Sequence, residues 1–132
     1  MSEENANVVR SIYDKLNRGD VEGVIALCDE QFALDMSERV FNPDSYLGHE
    51  DIRRFYEGVT EAWESYVWNV EETRAAGDVV VALLHCEGKS RDGGPGVDWR
   101  VAWVWRVREG RAVTAKFYRD RAQALEAGGL QH

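Results

Sequence analysis

Residues 97–107, VDWRVAWVWRV, read as one β-strand, and Trp99, Trp103 and Trp105 all fall on its odd-numbered face. Indoles are large and mostly apolar, so three of the chain's five tryptophans on one strand face require a facing layer of structure. That face, completed by Val101 and Val107, must therefore fill a core or wall a cavity. The other face carries Asp98, Arg100, Ala102, Val104, Arg106 and Arg108, charged at its ends and small and apolar in its middle.

The elements around this strand define the fold class. Val8, Val9, Ile12, Tyr13 and Leu16 recur at helical spacing over 4–17, and Gly19 ends that helix. Asp20 caps a second helix over about 20–28, which buries Val21, Val24, Ile25 and Cys28. The period then becomes two: Phe32, Leu34 and Met36 alternate with Gln31, Ala33 and Asp35 in a short strand. Residues 37–48, SERVFNPDSYLG, form a long polar loop of the kind that is often a lid; if it closes over a site, Tyr46 and Phe41 are its natural plugs, and Pro43 and Gly48 flank the moving part. A third helix over 49–64 presents Ile52, Phe55, Tyr56, Val59 and Trp63 on one stripe. From 66 onward the chain is strand, with a turn at Ala76-Gly77-Asp78, a strand over 79–89, a wide loop over 90–96, the tryptophan strand over 97–108, a tight turn at Glu109-Gly110 and a last strand over 112–119. Asp120 caps a final helix, RAQALEA, that ends at Gly128-Gly129. The order predicts an α+β domain over 1–132, with helices on one face of an antiparallel sheet that curls around them.

Charge and composition narrow the partners. A net charge of −8 and a pI near 4.9 argue against nucleic acid and anionic membrane, which need clustered Lys and Arg. No apolar run approaches a membrane span, and the acidic opening MSEENANVVRS does not resemble a signal peptide, so the expected location is the cytoplasm, of a bacterium. Cys28 and Cys86 have neither disulfide nor zinc-site spacing and read as buried free thiols. The glycine-rich RDGGPG lacks the following Lys-Ser or Lys-Thr and helix of a phosphate cradle.

Three stretches, LNRGDVEGVIAL, YLGHEDIRRFYEGVTEAW and VWRVREGRAVTAKFYRDRAQALEAGGL, resemble the nuclear transport factor 2-like superfamily and, within it, the SnoaL-like polyketide cyclase branch. The resemblance spans nearly the whole chain. It implies a cone, or cystatin-like α+β barrel, in which a curved antiparallel sheet wraps three helices around an apolar pocket. It also implies a homodimer through the sheet, to which the outer face of the tryptophan strand is suited. The superfamily holds isomerases, epoxide hydrolases, dehydratases, cyclases and non-catalytic proteins, so the fold leaves the activity open. The positions matching the ketosteroid isomerase base, oxyanion acid and tyrosine are Met36, Trp103 and Ile12, all apolar here, which argues against that activity. Asp98 and Arg100 mimic part of an epoxide hydrolase set, but on the face away from the tryptophans.

His85 and Glu87, two apart, share one strand face, and the resemblance places that face inside the cone. There they would form an acid–base pair; the alternative is a structural histidine with Glu87 in water. Arg119, on the face that the resemblance turns inward with Phe117, would polarise a carboxylate or oxyanion at the mouth, or else pair with Asp35, Glu38 or Asp120. Tyr13, Met36, Phe55, Tyr56, Trp63, Trp68, Trp99, Trp103 and Phe117 are the expected cavity lining, with Trp105 deeper. No third metal ligand is evident beside His85 and Glu87, and no cofactor is expected. The expected occupant is a small apolar organic molecule. Three readings follow: a cofactor-independent acid–base enzyme, a ligand-binding or accessory protein, and a scaffold with a filled cone.

Overall fold

The computed structural model describes residues 2–39 and 44–130. Its elements are α1 (Ser2–Asn17), α2 (Val21–Ala26), β1 (Cys28–Asp35), β2 (Ser45–Leu47), α3 (Gly48–Ala62), β3 (Trp63–Ala76), β4 (Val79–Ser90), β5 (Val97–Arg108), β6 (Arg111–Tyr118) and α4 (Arg121–Ala127). They build the expected α+β cone: one curved, unclosed six-stranded sheet in the order β2-β1-β6-β5-β4-β3, with α1–α3 against its inner face.

Two features depart from the expected layout. The sheet is not antiparallel throughout, because β1 pairs parallel with β6 (Leu34↔Ala115, Asp35↔Lys116). Parallel neighbours need a long crossover, and here everything from β2 to β5 supplies it. Within the expected loop over 37–48, residues 45–47 are a short edge strand paired with β1 (Leu34↔Tyr46). Tyr46 is buried there, edge-on to Phe55 with centroids 5.4 Å apart. Phe41 and Pro43 lie outside the described residues.

The registers of β4, β5 and β6 determine which residues face the helices. Val80, Ala82, Leu84 and Cys86 from β4 join Val101, Trp103, Trp105 and Val107 from β5 and Ala112, Ala115 and Phe117 from β6 in the main core, against Val9, Ile12, Tyr13 and Leu16 of α1 and Ile52 and Phe55 of α3. The long edge strand β3 shifts register twice, between Trp63 and Ser65 and between Val70 and Glu72. Bulges of this kind add a residue and re-aim side chains. Tyr66, Trp68 and Val70 pack against the core before the second shift, and odd-numbered Ala75 packs against it after. Asn17, at the end of α1, clamps this edge: its amide donates to the Trp68 carbonyl at 2.8 Å and accepts from the Trp68 N–H at 2.9 Å.

A second, smaller core lies on the outer face, where Val81, Leu83 and Ala102 pack under Ala124 and Leu125 of α4, with Val104 and Tyr118 beside them. Asp120 caps α4 by accepting from the Ala122 N–H at 2.8 Å, as expected. The apolar middle of the outer face, read from the sequence as a dimer contact, is therefore occupied by the chain's own tail. No helix among the described residues is long and apolar enough to cross a membrane.

The β5–β6 turn places both central residues at positive φ, Glu109 at 52° and Gly110 at 77°, as a tight hairpin requires. Glu109 has a Cβ and incurs strain there. Glu109→Asn should raise the unfolding free energy by about 0.5–1 kcal/mol, read as a higher urea midpoint at unchanged slope.

Candidate functional site

The inner face does not fill completely. A cavity of about 700 Å³ remains between α3, the β1–β2 region and the inner faces of β3 to β6. Of the expected lining, Met36, Phe55, Trp63, Trp68, Trp99, Trp103 and Phe117 border it. Tyr13 and Tyr56 do not. Tyr13 is buried below the cavity, where its hydroxyl accepts from the Trp105 Nε1–H at 3.0 Å. Tyr56 turns its hydroxyl toward Gly19, at the turn between α1 and α2.

The row of indoles on β5 divides by depth. Trp105 is 2% exposed and stacks with Phe32 (6.0 Å) and with Trp103 (5.6 Å), so it is core below the cavity. Trp103 borders the cavity and also meets Tyr13 and Phe55 edge-on. Trp99, half-buried, is wall, and its Nε1–H donates to the Tyr66 hydroxyl at 3.3 Å.

Tyr66 went unremarked in the sequence, although it alternates with Trp68 and shares its face. Its hydroxyl also meets the Cys86 thiol in the cavity wall. Burial raises the Tyr66 phenol above its ordinary value and pushes the Cys86 thiol up to about 12, so both keep their protons at neutral pH. At the mouth stand Arg39 and Arg54. The Arg39 guanidinium lies 5.8 Å from the Phe55 ring centre and donates to the Tyr46 hydroxyl at 3.3 Å. Arg54 lies 4.3 Å over the Tyr46 ring and pairs with Asp44 at 2.9 Å. Neither arginine sits in a periodic pattern that marks a face, so the sequence offered no signal for them. The carboxylates that border the cavity, Asp44, Glu57 and Glu61, are solvent-exposed.

The expected inward placement of His85 and Glu87 is overturned. The inner face of β4 is the even-numbered set ending at Cys86, and a one-residue offset moves every side chain to the opposite side. His85 and Glu87 project from the outer face, where the His85 Nε2 lies 2.5 Å from an Asp98 oxygen and its Nδ1 lies 4.0 Å from Glu87. Asp98 arrives because it pairs with Glu87 across β4 and β5. It is the third ligand-type residue that the sequence did not reveal, and the three ligand atoms lie within 4.8 Å of one another. None of the three borders the cavity. Arg119 also misses the main cavity. It follows the last residue of β6, where strand alternation has stopped, and borders a separate hollow of about 230 Å³ behind Trp99, Val101 and Phe117. Two of its expected acidic partners, Asp35 and Glu38, pair instead with Lys116 at 3.9 and 3.6 Å.

Residues 9–115 match the family model of the SnoaL-like domain. No curated protein matches the chain. Among solved structures, the chain is similar to a nuclear transport factor 2-like protein of unknown function from Burkholderia pseudomallei, with 24% identity, a TM-score of 0.78 and coverage of 96% of this chain and 97% of that one. It is similar to TerC co-crystallised with polyporic acid, at 19% identity and a TM-score of 0.78 over 96% and 98% of the two chains. A Mycobacterium tuberculosis protein in complex with estradiol-17β-hemisuccinate matches at 20% identity and a TM-score of 0.77 over 91% and 95%. At these identities the likeness is one of fold.

The buried thiols give a pH signature. Burial pushes both Cys28 and Cys86 up to about 12. Below the unfolded thiol value near 8.5, both states hold the proton and the contribution is complete. Above it the unfolded chain releases the proton first, so stability should fall by about 1.4 kcal/mol per pH unit per thiol until the folded value is passed. Urea unfolding between about pH 8 and 9.5, below the range where the unfolded chain's tyrosines ionise and the buried Tyr13 and Tyr66 add a loss of their own, should show this in the native chain, and a Cys28→Val, Cys86→Val double variant should flatten it.

Proposed function

The chain belongs to the SnoaL-like domain family, and on that premise we propose that it binds one small, mostly apolar organic molecule inside the cone. The observation that carries this reading is the cavity itself, walled by Trp99, Trp103, Trp63, Trp68, Phe55 and Phe117. Its volume lies within the range of small-molecule sites, and aromatic walls supply area at little conformational cost. That two proteins of the same fold were crystallised with polyporic acid and with estradiol-17β-hemisuccinate supports an organic occupant.

Between the enzyme and the binding protein, the chemistry of the wall favours binding. General acid–base catalysis needs a group that exchanges its proton near the working pH. Tyr66 and Cys86 both hold theirs, and the bordering carboxylates stand in solvent at the rim. His85, the one imidazole expected inside, is on the other side of the sheet. The occupant would be sequestered or delivered unchanged, without a cofactor.

A titration of intrinsic tryptophan fluorescence with lactones, terpenoids, aromatic ketones and fatty acids tests this. A saturable change with one class is expected, weakened at least about tenfold in Trp99→Ala, where the lost aromatic contact and area together amount to more than about 1.4 kcal/mol. His85→Ala should bind as the native chain does. Loss of binding in His85→Ala, or no response to any class, would overturn the reading.

A further inference from the structure

The polar hydrogens of the cavity wall are out of balance with its acceptors. Trp68 and Trp103 are each 3% exposed, and both border the cavity. Neither indole N–H has a hydrogen-bond partner among the described residues. Among the described residues no side-chain nitrogen in a buried residue is both unpartnered and sealed from solvent space, so both N–H groups keep accessible surface. Trp105 and Trp99 differ, since their N–H groups are spent on Tyr13 and Tyr66. The acceptors of the inner wall are few. The Tyr66 oxygen already accepts from Trp99, and the sulfurs of Met36 and Cys86 are weak acceptors.

We propose that the occupant is an aromatic carbonyl compound, neutral or anionic, whose oxygens accept hydrogen bonds from the indole N–H groups of Trp68 and Trp103. This rests on the cavity-binding reading above and assigns those two residues as its specificity determinants. A ligand that displaces water from a buried donor and offers no acceptor leaves the donor unpaired, which is costly, so apolar hydrocarbons are disfavoured relative to ketones of the same shape. A cation is disfavoured for the same reason. Aromatic walls attract ammonium groups, but a quaternary ammonium offers no acceptor to the two N–H groups and meets the positive ends of their dipoles.

Fluorene and 9-fluorenone, nearly one shape, separate the acceptor contribution, and the fluoren-9-yltrimethylammonium cation, bulkier at C9, tests for an aromatic cage; each is measured by equilibrium dialysis. The native chain should bind fluorenone about tenfold more tightly than fluorene, and the cation weakest. Trp68→Phe and Trp103→Phe keep a ring and remove the N–H. Each should bring fluorenone toward parity with fluorene while fluorene's own affinity holds, and either variant suffices if the other does not fold. Equal binding of fluorene and fluorenone by the native chain overturns the acceptor assignment, as does a preference that survives in both variants. Tightest binding of the cation overturns it in favour of an aromatic cage. Binding of none of the three removes the cavity reading itself, whereas fluorene binding without preference removes only the assignment to Trp68 and Trp103.

Discussion

The pairing of Cys86 with Trp99 and of Ala82 with Trp103 decides which side of the sheet every other group faces. Directly opposed residues on adjacent strands share a face, so this one register sends Cys86, Trp99, Ala82 and Trp103 into the cone together. It sends His85, Glu87 and Asp98 out by the same step. The aromatic wall and the outer imidazole–carboxylate cluster are thus two consequences of one register, and a one-residue slip between β4 and β5 would turn one strand over against the other and break both.

The cavity exists because the aromatic residues that meet at the narrow end cannot also fill the wide one. Trp105, stacked with both Phe32 and Trp103 and hydrogen-bonded to Tyr13, is core below the cavity. The Asn17 clamp on Trp68 holds the edge strand against α1. Beyond Trp103 the space between α3 and the sheet is bounded largely by aromatic residues, with two guanidiniums over rings at the entrance. A wall of this kind presents a flat apolar surface with a few fixed donors.

The outer face follows a separate logic. Its centre is apolar because α4 rests there, and Gly128 is needed for that approach, since a Cβ at this position would come within 2.8 Å of Val81. Arg121 adds a polar tie, donating to the Leu84 carbonyl at 2.7 Å and pairing with Glu71 at 2.5 Å. A sheet covered on both faces needs apolar residues on both, which is why β4 reads as a continuous run, VVVALL, rather than an alternating one.

That run marks the boundary between what was legible in the sequence and what was not. The sequence by itself determined the order of the elements other than β2, the turns at Gly77 and at Glu109-Gly110, the Asp20 and Asp120 caps and the inward face of β5, because periodicity and turn chemistry are local. On β5 one face is indole and the other charged, so its orientation was readable. On β4 both faces are apolar through Leu84, so nothing local distinguished the side of His85 from the side of Cys86. The bulges in β3, the parallel entry of β1, the short strand β2 and the third member of the outer cluster were equally hidden, since each depends on a partner strand distant in sequence. Only the tertiary structure decided these, because with a side-chain period of two the face a residue occupies is set by pairing register and not by residue type.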